Sequence, residues 1–355
     1  MNEETIFTIE NIWYAYKTCI KRKKKNANRL KFELKREREI IELHEELLNR
    51  KYKISRHIYF VVTDPKPREI FAADFRDRVV HHLIYNELSP LCESWFIENS
   101  FANRQNKGTH AGFRKVKDLV KQNRNAWYLK LDILSFFKSI DKKILFDILS
   151  KFINEQNRPL WWKKDMLWIC GEVIFHDPTC DYLFRGKLKI KSLIPKQKSL
   201  FYSNGNGLPI GNLTSQFFAN CYLDGMDKYI TETLGFSNYV RYVDDFILIH
   251  NDKEKLKQSI SVINKWLFLE RKLSIHPKKI MIQPVRHGID FVGYFIKPTH
   301  TLVRQNVVKR FKKKLYEQRN NEDGFFPIDS IPMIKSYLGH FSHANSYNLV
   351  KKLGE

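Results

Sequence analysis

The chain has 355 residues, of which 62 are Lys or Arg and 39 are Asp or Glu, a formal net charge of +23; 43 % are apolar and 14 % aromatic. An apolar fraction of that size without a low-complexity tract excludes a largely disordered chain, and no apolar run approaches the ~20 residues of a membrane span. The basic charge is interleaved with aromatics along the whole chain, which points to a nucleic-acid surface; an anionic membrane face is the weaker alternative, because no amphipathic anchor accompanies the charge.

Residues 1–55 are predicted to be a helical region, since "IENIWYAYKTCIKRKKK" and "KFELKREREIIELHEELLNRKY" repeat apolar residues every three or four positions. Leu34, Ile41 and Leu48 stand one heptad apart and are expected to pack onto the body of the protein. The "KRKKK" run at 21–25 reads as a solvated basic helix end. The N-terminus is acidic before it is apolar, the reverse of a secretory signal, so a cytoplasmic location is expected. "IYFVVTDPKPREIFAADF" reads as two strands around a proline-marked turn, and "DRVVHHLIYNELSPLCESWF" as a buried helix.

In "NAWYLKLDILSFFKSID" the alternation places Trp127, Leu129, Leu131 and Ile133 on one face and Lys130 and Asp132 on the other, a strand with a carboxylate near its exit. A helix, "DKKILFDILSKF", follows. Residues 155–205 are basic and aromatic and read as an irregular connector. The five cysteines (19, 92, 170, 180 and 221) form no CxxC pair and suit a reducing compartment. Cys170, His176 and Cys180 lack an evident fourth ligand, so thiols are favoured there over zinc. "GNGLPIGNLTSQFFANCYLDGMDKYI" is a glycine loop running into a helix. "YVRYVDDFILIH" then sets Asp244 and Asp245 between two strand-like runs. Another helix, the strands around "KIMIQPV" and "GIDFVGYFI", and a basic helical tail complete the chain. This order predicts an α+β sheet with helices on one face.

Taken alone, adjacent aspartates between strands could simply mark a turn. They repel, however, and their flanks desolvate them, unless something positive sits between them. A sheet that brings Asp132 beside Asp244 and Asp245 makes an oxygen site for Mg²⁺, whose coordination is typically completed by phosphates. Two such ions roughly 3.5–4 Å apart stabilise both the attacking and the leaving oxygens of a phosphoryl displacement.

Over residues 55–300 these motifs resemble reverse transcriptases. "LKLDILSFF" looks like the motif of the first catalytic aspartate, "YVDD" like the hairpin signature, and "GLPIGNLTSQ" like the nucleotide-pocket loop; "HPKKI" and "GIDFVGY" resemble the later palm motifs. The finer resemblance is to the reverse transcriptases of diversity-generating retroelements. The loop reads "IGNLTSQ" where intron and retroviral enzymes read QGxxxSP, with Ile210 and Gln216 at the divergent places. "DPKPREI", "DRVVHH", "FANRQNKGTHAGF" and "SYLGHFSHANS" also look like that subfamily. Group II intron-like, retron or defence-associated enzymes are the alternative, and a non-catalytic RNA-binding relic is a more distant one.

The resemblance implies a right-hand polymerase: an N-terminal helical region (1–55), fingers (56–125), a palm (126–298) with a fingers-associated connector (about 150–207), and a basic helical thumb (299–355). It implies an RNA-directed DNA polymerase that uses two Mg²⁺ ions, with Asp132, Asp244 and Asp245 as metal ligands. Phe137 fits the aromatic gate against a ribose 2′-OH, with a core Phe as the alternative. Lys66 and Arg68 fit the residues that hold the triphosphate. Arg104 and Lys107 assist them or contact the template. Gly211 lets the backbone approach the nucleotide. Lys278 or Lys279 donates a proton to departing pyrophosphate. Ile210 and Gln216 complete the pocket, and the apolar Ile210 gives up a polar contact that would sharpen selection. The implied partners are template RNA and the RNA–DNA duplex, dNTPs, and a small basic helical accessory protein, with no membrane. The implied copying is error-prone at template adenines.

Overall fold

The computed structural model describes residues 4–21, 26–319 and 330–354, so positions 22–25 of the basic run lie outside the described residues. Three helices open the chain: α1 (Ile9–Ile20), α2 (Ala27–Glu33) and α3 (Arg36–Leu48). The side chains of Thr8 and Asn26 cap the first two by accepting from backbone amides at the helix starts. Strands β1 (His57–Val62) and β2 (Arg68–Ala72) form an antiparallel hairpin, followed by α4 (Phe75–Trp95) and α5 (Thr109–Gln122). Then come β3 (Trp127–Asp132), α6 (Phe136–Ser139), α7 (Lys142–Glu155), α8 (Leu160–Phe175), β4 (Tyr182–Phe184) and α9 (Leu188–Lys191). Helix α10 (Leu213–Lys228) leads to the hairpin β5 (Tyr239–Tyr242) and β6 (Asp245–His250), then to α11 (Lys253–Arg271) and β7 (Met281–Pro284). Strands β8 (Ile289–Phe291), β9 (Tyr294–Ile296) and β10 (Thr301–Val303) precede α12 (Gln305–Arg319), α13 (Ile331–Phe341) and α14 (Tyr347–Gly354).

The central sheet has the order β5-β6-β3-β7, all antiparallel. One face, with Leu129, Leu131, Phe246 and Leu248, enters the large core built with α4, α7, α10 and α11. The other face, with Tyr128, Val240, Ile247 and Ile249, packs on Phe113 and Val116 of α5 and on Phe291 and Tyr294 of the β8–β9 ribbon. Both faces of β6 are therefore covered, which explains why its interior reads as an unbroken apolar run rather than an alternation. Each large side chain so buried contributes about 1.5–3 kcal/mol. A separate small core, centred on Val303, Val307, Phe311 and Phe341, holds the tail helices together.

Two sequence expectations are corrected. Leu34, Ile41 and Leu48 do not pack onto the body: they are 85 %, 48 % and 39 % exposed, while α3 turns Ile40, Leu43 and Leu47 inward. The segment 155–205 is not irregular throughout. It contains the 16-residue α8 and also β4, which pairs parallel with β1 (His57 opposite Tyr182) and extends that hairpin to three strands. In the same region His176 stacks on His57 at 5.1 Å, Cys170 is buried and Cys180 exposed.

Candidate active site

Register assembles the carboxylates. Asp132, the last residue of β3, lies directly opposite Asp245, the first of β6. Tyr242 pairs with Asp245, so Val243 and Asp244 form the two-residue turn of the hairpin. The carbonyl of Asp244 accepts from the amide of Ile133 at 3.3 Å, which ties the turn to the end of β3. Val243 has φ +58°, a left-handed conformation that a β-branched residue adopts only under constraint. Three acidic side chains thus share one end of the sheet.

Their environment is electrostatically strained. Burial, with repulsion from Asp132 and Asp245 added, pushes the Asp244 carboxyl up from its usual 3.8 to about 6. Burial also raises Asp245, against the opposing pull of Lys130. Lys130 Nζ lies 2.9 Å from Asp245 Oδ2 and donates to the carbonyl of Asp290 at 2.7 Å. Lys279 Nζ lies 2.7 Å from Asp132 Oδ2. Its position is set by the turn 277–279, where the His276 amide donates to the Asp132 carbonyl at 2.8 Å.

Among the described residues no three His, Cys, Asp or Glu side chains stand in finished metal-holding geometry. Asp132 and Asp245 are each engaged by a lysine. The donor set nonetheless fits a hard divalent cation. Asp245 Oδ1 is buried without a partner, and Lys279 is 49 % exposed, free to leave when a stronger cation arrives.

A loop forms the adjacent wall. Ser135, at φ +48°, opens α6 so that Phe136 turns into the core and Phe137 stays partly exposed. The amides of Gly207 and Leu208 donate to the carbonyls of Ile140 and Phe137, both at 2.8 Å. A Cβ on Gly207 would come within 2.7 Å of the Lys138 carbonyl, so only glycine fits this approach. On the other side the Phe71 amide donates to the Ile210 carbonyl at 3.1 Å, and the Ala73 amide to Asn212 Oδ1 at 3.1 Å. Gly211, at φ +122°, has no room for a side chain: its Cβ would meet Ile70 at 2.8 Å. Phe137 and Ile210 line one small gap of about 20 Å³ together with Phe71 and Leu208. Gln216 is partly exposed in the first turns of α10, its amide donating to the Asn212 carbonyl at 3.4 Å.

Lys66 and Arg68 are exposed beside the turn of the β1–β2 hairpin. They line a cleft of about 840 Å³ whose opposite wall carries Arg304, Lys309, Arg310 and Tyr337. That cleft does not reach the three aspartates in this conformation. Lys278 is exposed beside Lys279.

Arg104 and Lys107 are both engaged within the chain. Arg104 is 9 % exposed and donates to Glu93 Oε2 at 3.0 Å and to the carbonyls of Glu93, Ile97 and Ser100. Lys107 Nζ donates to the Glu98 carbonyl beside the ring of Phe101. A guanidinium removed from water must satisfy its donors locally, and Arg104 does so by holding the 93–104 segment together. The sequence reading also missed groups. Lys130 as the partner of Asp245 was signalled by its place two residues before Asp132 on the same strand face. Arg241 was signalled by a lone charge inside an apolar strand.

An antiparallel sheet flanked by helices, with carboxylates gathered on a strand end and the neighbouring hairpin, defines a right-hand polymerase fold of the α+β class. The family model for reverse transcriptase (RNA-dependent DNA polymerase) matches residues 63–296, and the chain belongs to that family. No curated protein matches it. Among solved structures it is similar to telomerase from Candida albicans in complex with a fragment of telomeric RNA, at 15 % identity and a TM-score of 0.48, covering 80 % of this chain and 55 % of that one. It is also similar to apo telomerase from Candida tropicalis, at 13 % identity and a TM-score of 0.48, covering 71 % and 49 %. The chain therefore spans about half the length of those proteins. Among the described residues no helix is long and apolar enough to cross a membrane.

Proposed function

We propose that the protein copies RNA into DNA, extending a primer with dNTPs on an RNA template with two Mg²⁺ ions, and that it does so within a diversity-generating retroelement. The observation that carries the polymerase reading is the register of Asp132 opposite Asp245, with Asp244 raised into the turn between them. Asp132, Asp244 and Asp245 would hold the ions, which when bound stabilise the attacking and leaving oxygens of the displacement. Lys279, released from Asp132, stands ready with its Nζ to protonate the departing pyrophosphate; Lys278 is the alternative. Phe137 and Ile210 form the wall against the sugar and base pair, and Gly211 with Gln216 shapes the loop behind them. Lys66 and Arg68 bind the triphosphate once the β1–β2 hairpin closes over the site, a role suited to a planar guanidinium.

In this reading the hairpin region (56–125), with β4 added to its sheet, serves as fingers, residues 126–298 as the palm, and the tail from 299 as the thumb. The basic helix α12 follows the phosphates of the RNA–DNA duplex. The retroelement reading rests on "IGNLTSQ" and the other subfamily-like motifs. It brings with it a small basic helical accessory protein and a cytoplasmic setting in a bacterium or phage. Sequencing of cDNA made on a defined RNA template, with the accessory protein supplied, tests it. Misincorporation concentrated opposite template adenines is the expected result. Even error rates opposite all four bases would overturn the retroelement reading while leaving the polymerase reading in place.

A further inference from the structure

Strand β5 carries an arginine in an otherwise apolar interior: Arg241 is 1 % exposed. A guanidinium is tolerated there only if its donors are matched, and they are. Its Nε and Nη2 donate to the two oxygens of Asp227 at 2.7 and 2.6 Å. Nη2 also donates to Ser100 Oγ at 3.0 Å, and Nη1 to Asn220 Oδ1 at 3.1 Å and to the Val243 carbonyl at 3.0 Å. The hydroxyl of Tyr239 completes Asp227 with a 2.6 Å bond.

These partners belong to three different parts of the site. Asp227 and Asn220 lie on α10, the helix that starts at the loop of Ile210 and Gly211. Ser100 lies in a segment bridged to β5, where the Arg241 amide donates to the Asn99 carbonyl and the Phe101 amide to the Arg241 carbonyl, both at 3.0 Å. Asn220 Nδ2 fixes the same segment through the Ala102 carbonyl at 2.7 Å. Val243 is the turn residue directly before Asp244. Asp227 neutralises the charge of Arg241, and the bond to Val243 satisfies the second hydrogen of Nη1. It lies where the backbone is least at ease, on a β-branched residue at φ +58°. If that carbonyl were released, the peptide plane could rotate toward negative φ and carry Asp244 with it.

We infer that Arg241 is a positioning residue for the polymerase reaction, holding the Val243–Asp244 turn against α10 and the 99–102 segment so that the carboxylates and the nucleotide loop share one geometry. The inference rests on the proposed metal-holding role of Asp244. Arg241→Lys keeps a cation beside Asp227 but lacks the fork that also spans the Val243 carbonyl. Asn220→Ala leaves the Arg241–Asp227 pair intact and removes the bonds from α10 to Arg241 Nη1 and to the Ala102 carbonyl, which serves if the lysine variant does not fold. Both are assayed well below their melting temperatures, alongside Arg241→Lys/Val243→Gly, in which glycine accepts the left-handed turn unaided.

The expected result for Arg241→Lys is a loss of about tenfold to a hundredfold in kcat with little change in KM for dNTP, because misplacement acts on the reacting geometry. Mn²⁺ binding, read by electron paramagnetic resonance, weakens in parallel, and Val243→Gly recovers part of both. Asn220→Ala shows a smaller fall in the same direction. Unchanged Mn²⁺ affinity and kcat in both folded variants, or no recovery with glycine, would overturn the inference. A wild-type protein that neither binds Mn²⁺ nor extends a primer would instead overturn the metal-holding role on which the inference rests.

Discussion

Replacing Asp244 with asparagine should stabilise the ion-free protein while abolishing synthesis. The carboxyl is raised from 3.8 to about 6, first by burial and then by the charges of Asp132 and Asp245. Each pKa unit corresponds to about 1.4 kcal/mol, so two units give an upper bound of about 3 kcal/mol. Asp244 is partly exposed, and screening by water reduces this to about 1–2 kcal/mol, or roughly 2–6 °C in melting temperature. The sign follows from linkage: the folded state holds the proton more tightly than the unfolded state. Well below pH 3.8 both states are protonated and the carboxyl costs nothing. The cost grows as pH rises toward 6 and is complete above it. Asp244→Asn should therefore raise the melting temperature at pH 8 in a chelator, and the gain should shrink as pH falls through 6 and vanish well below 3.8. Added Mg²⁺ should stabilise the wild type, by about 2.7 kcal/mol at a hundredfold excess over Kd, and leave the variant almost unmoved. A variant that melts lower at pH 8, or a gain independent of pH, would refute this electrostatic account of the site.

Phe137→Ala should admit ribonucleotides, seen as a fall in the dNTP-over-rNTP ratio of kcat/KM by about tenfold or more with dNTP use nearly preserved. Ile210→Gln should lower misincorporation by about fivefold for each kcal/mol of discrimination a new hydrogen bond adds, read by sequencing the products. Arg104→Met should destabilise the protein by about 1–3 kcal/mol in denaturant unfolding, because it removes the donor that serves Glu93 and the Ile97 and Ser100 carbonyls, while template affinity of the folded fraction stays unchanged.

The sheet and its carboxylates were legible because strands alternate. Lys130 and Asp132 share a face, and the apolar runs around Asp244 and Asp245 could pair only as a hairpin. The conformation of Val243 was not legible, since a valine in a left-handed turn contradicts its local preference, and the Arg241 side chain that bonds its carbonyl is itself fixed by the distant Asp227, Asn220 and Ser100. Helix α3 carries two apolar stripes, and spacing alone cannot tell which one meets the body; the fold buries Ile40, Leu43 and Leu47 and leaves Ile41 and Leu48 in water, while Leu34 falls in the break between α2 and α3. Helix α8 (LWWKKDMLWICGEVIF) is apolar on nearly every side, so it shows no helical period to read. Arg104 and Lys107 look like surface cations in sequence because the carbonyls that capture them converge only in the folded chain.

The central claim is that DNA synthesis on RNA takes place at Asp132, Asp244 and Asp245. Its most direct test is single-nucleotide extension of a DNA primer on an RNA template, with Mg²⁺ or chelator, for the wild type and for Asp132→Asn and Asp244→Asn, with template affinity measured in parallel. The account predicts template-directed incorporation by the wild type only in Mg²⁺, and a loss of at least about a thousandfold in each variant at unchanged RNA affinity. Extension retained by either variant, or lost together with RNA binding, would contradict it.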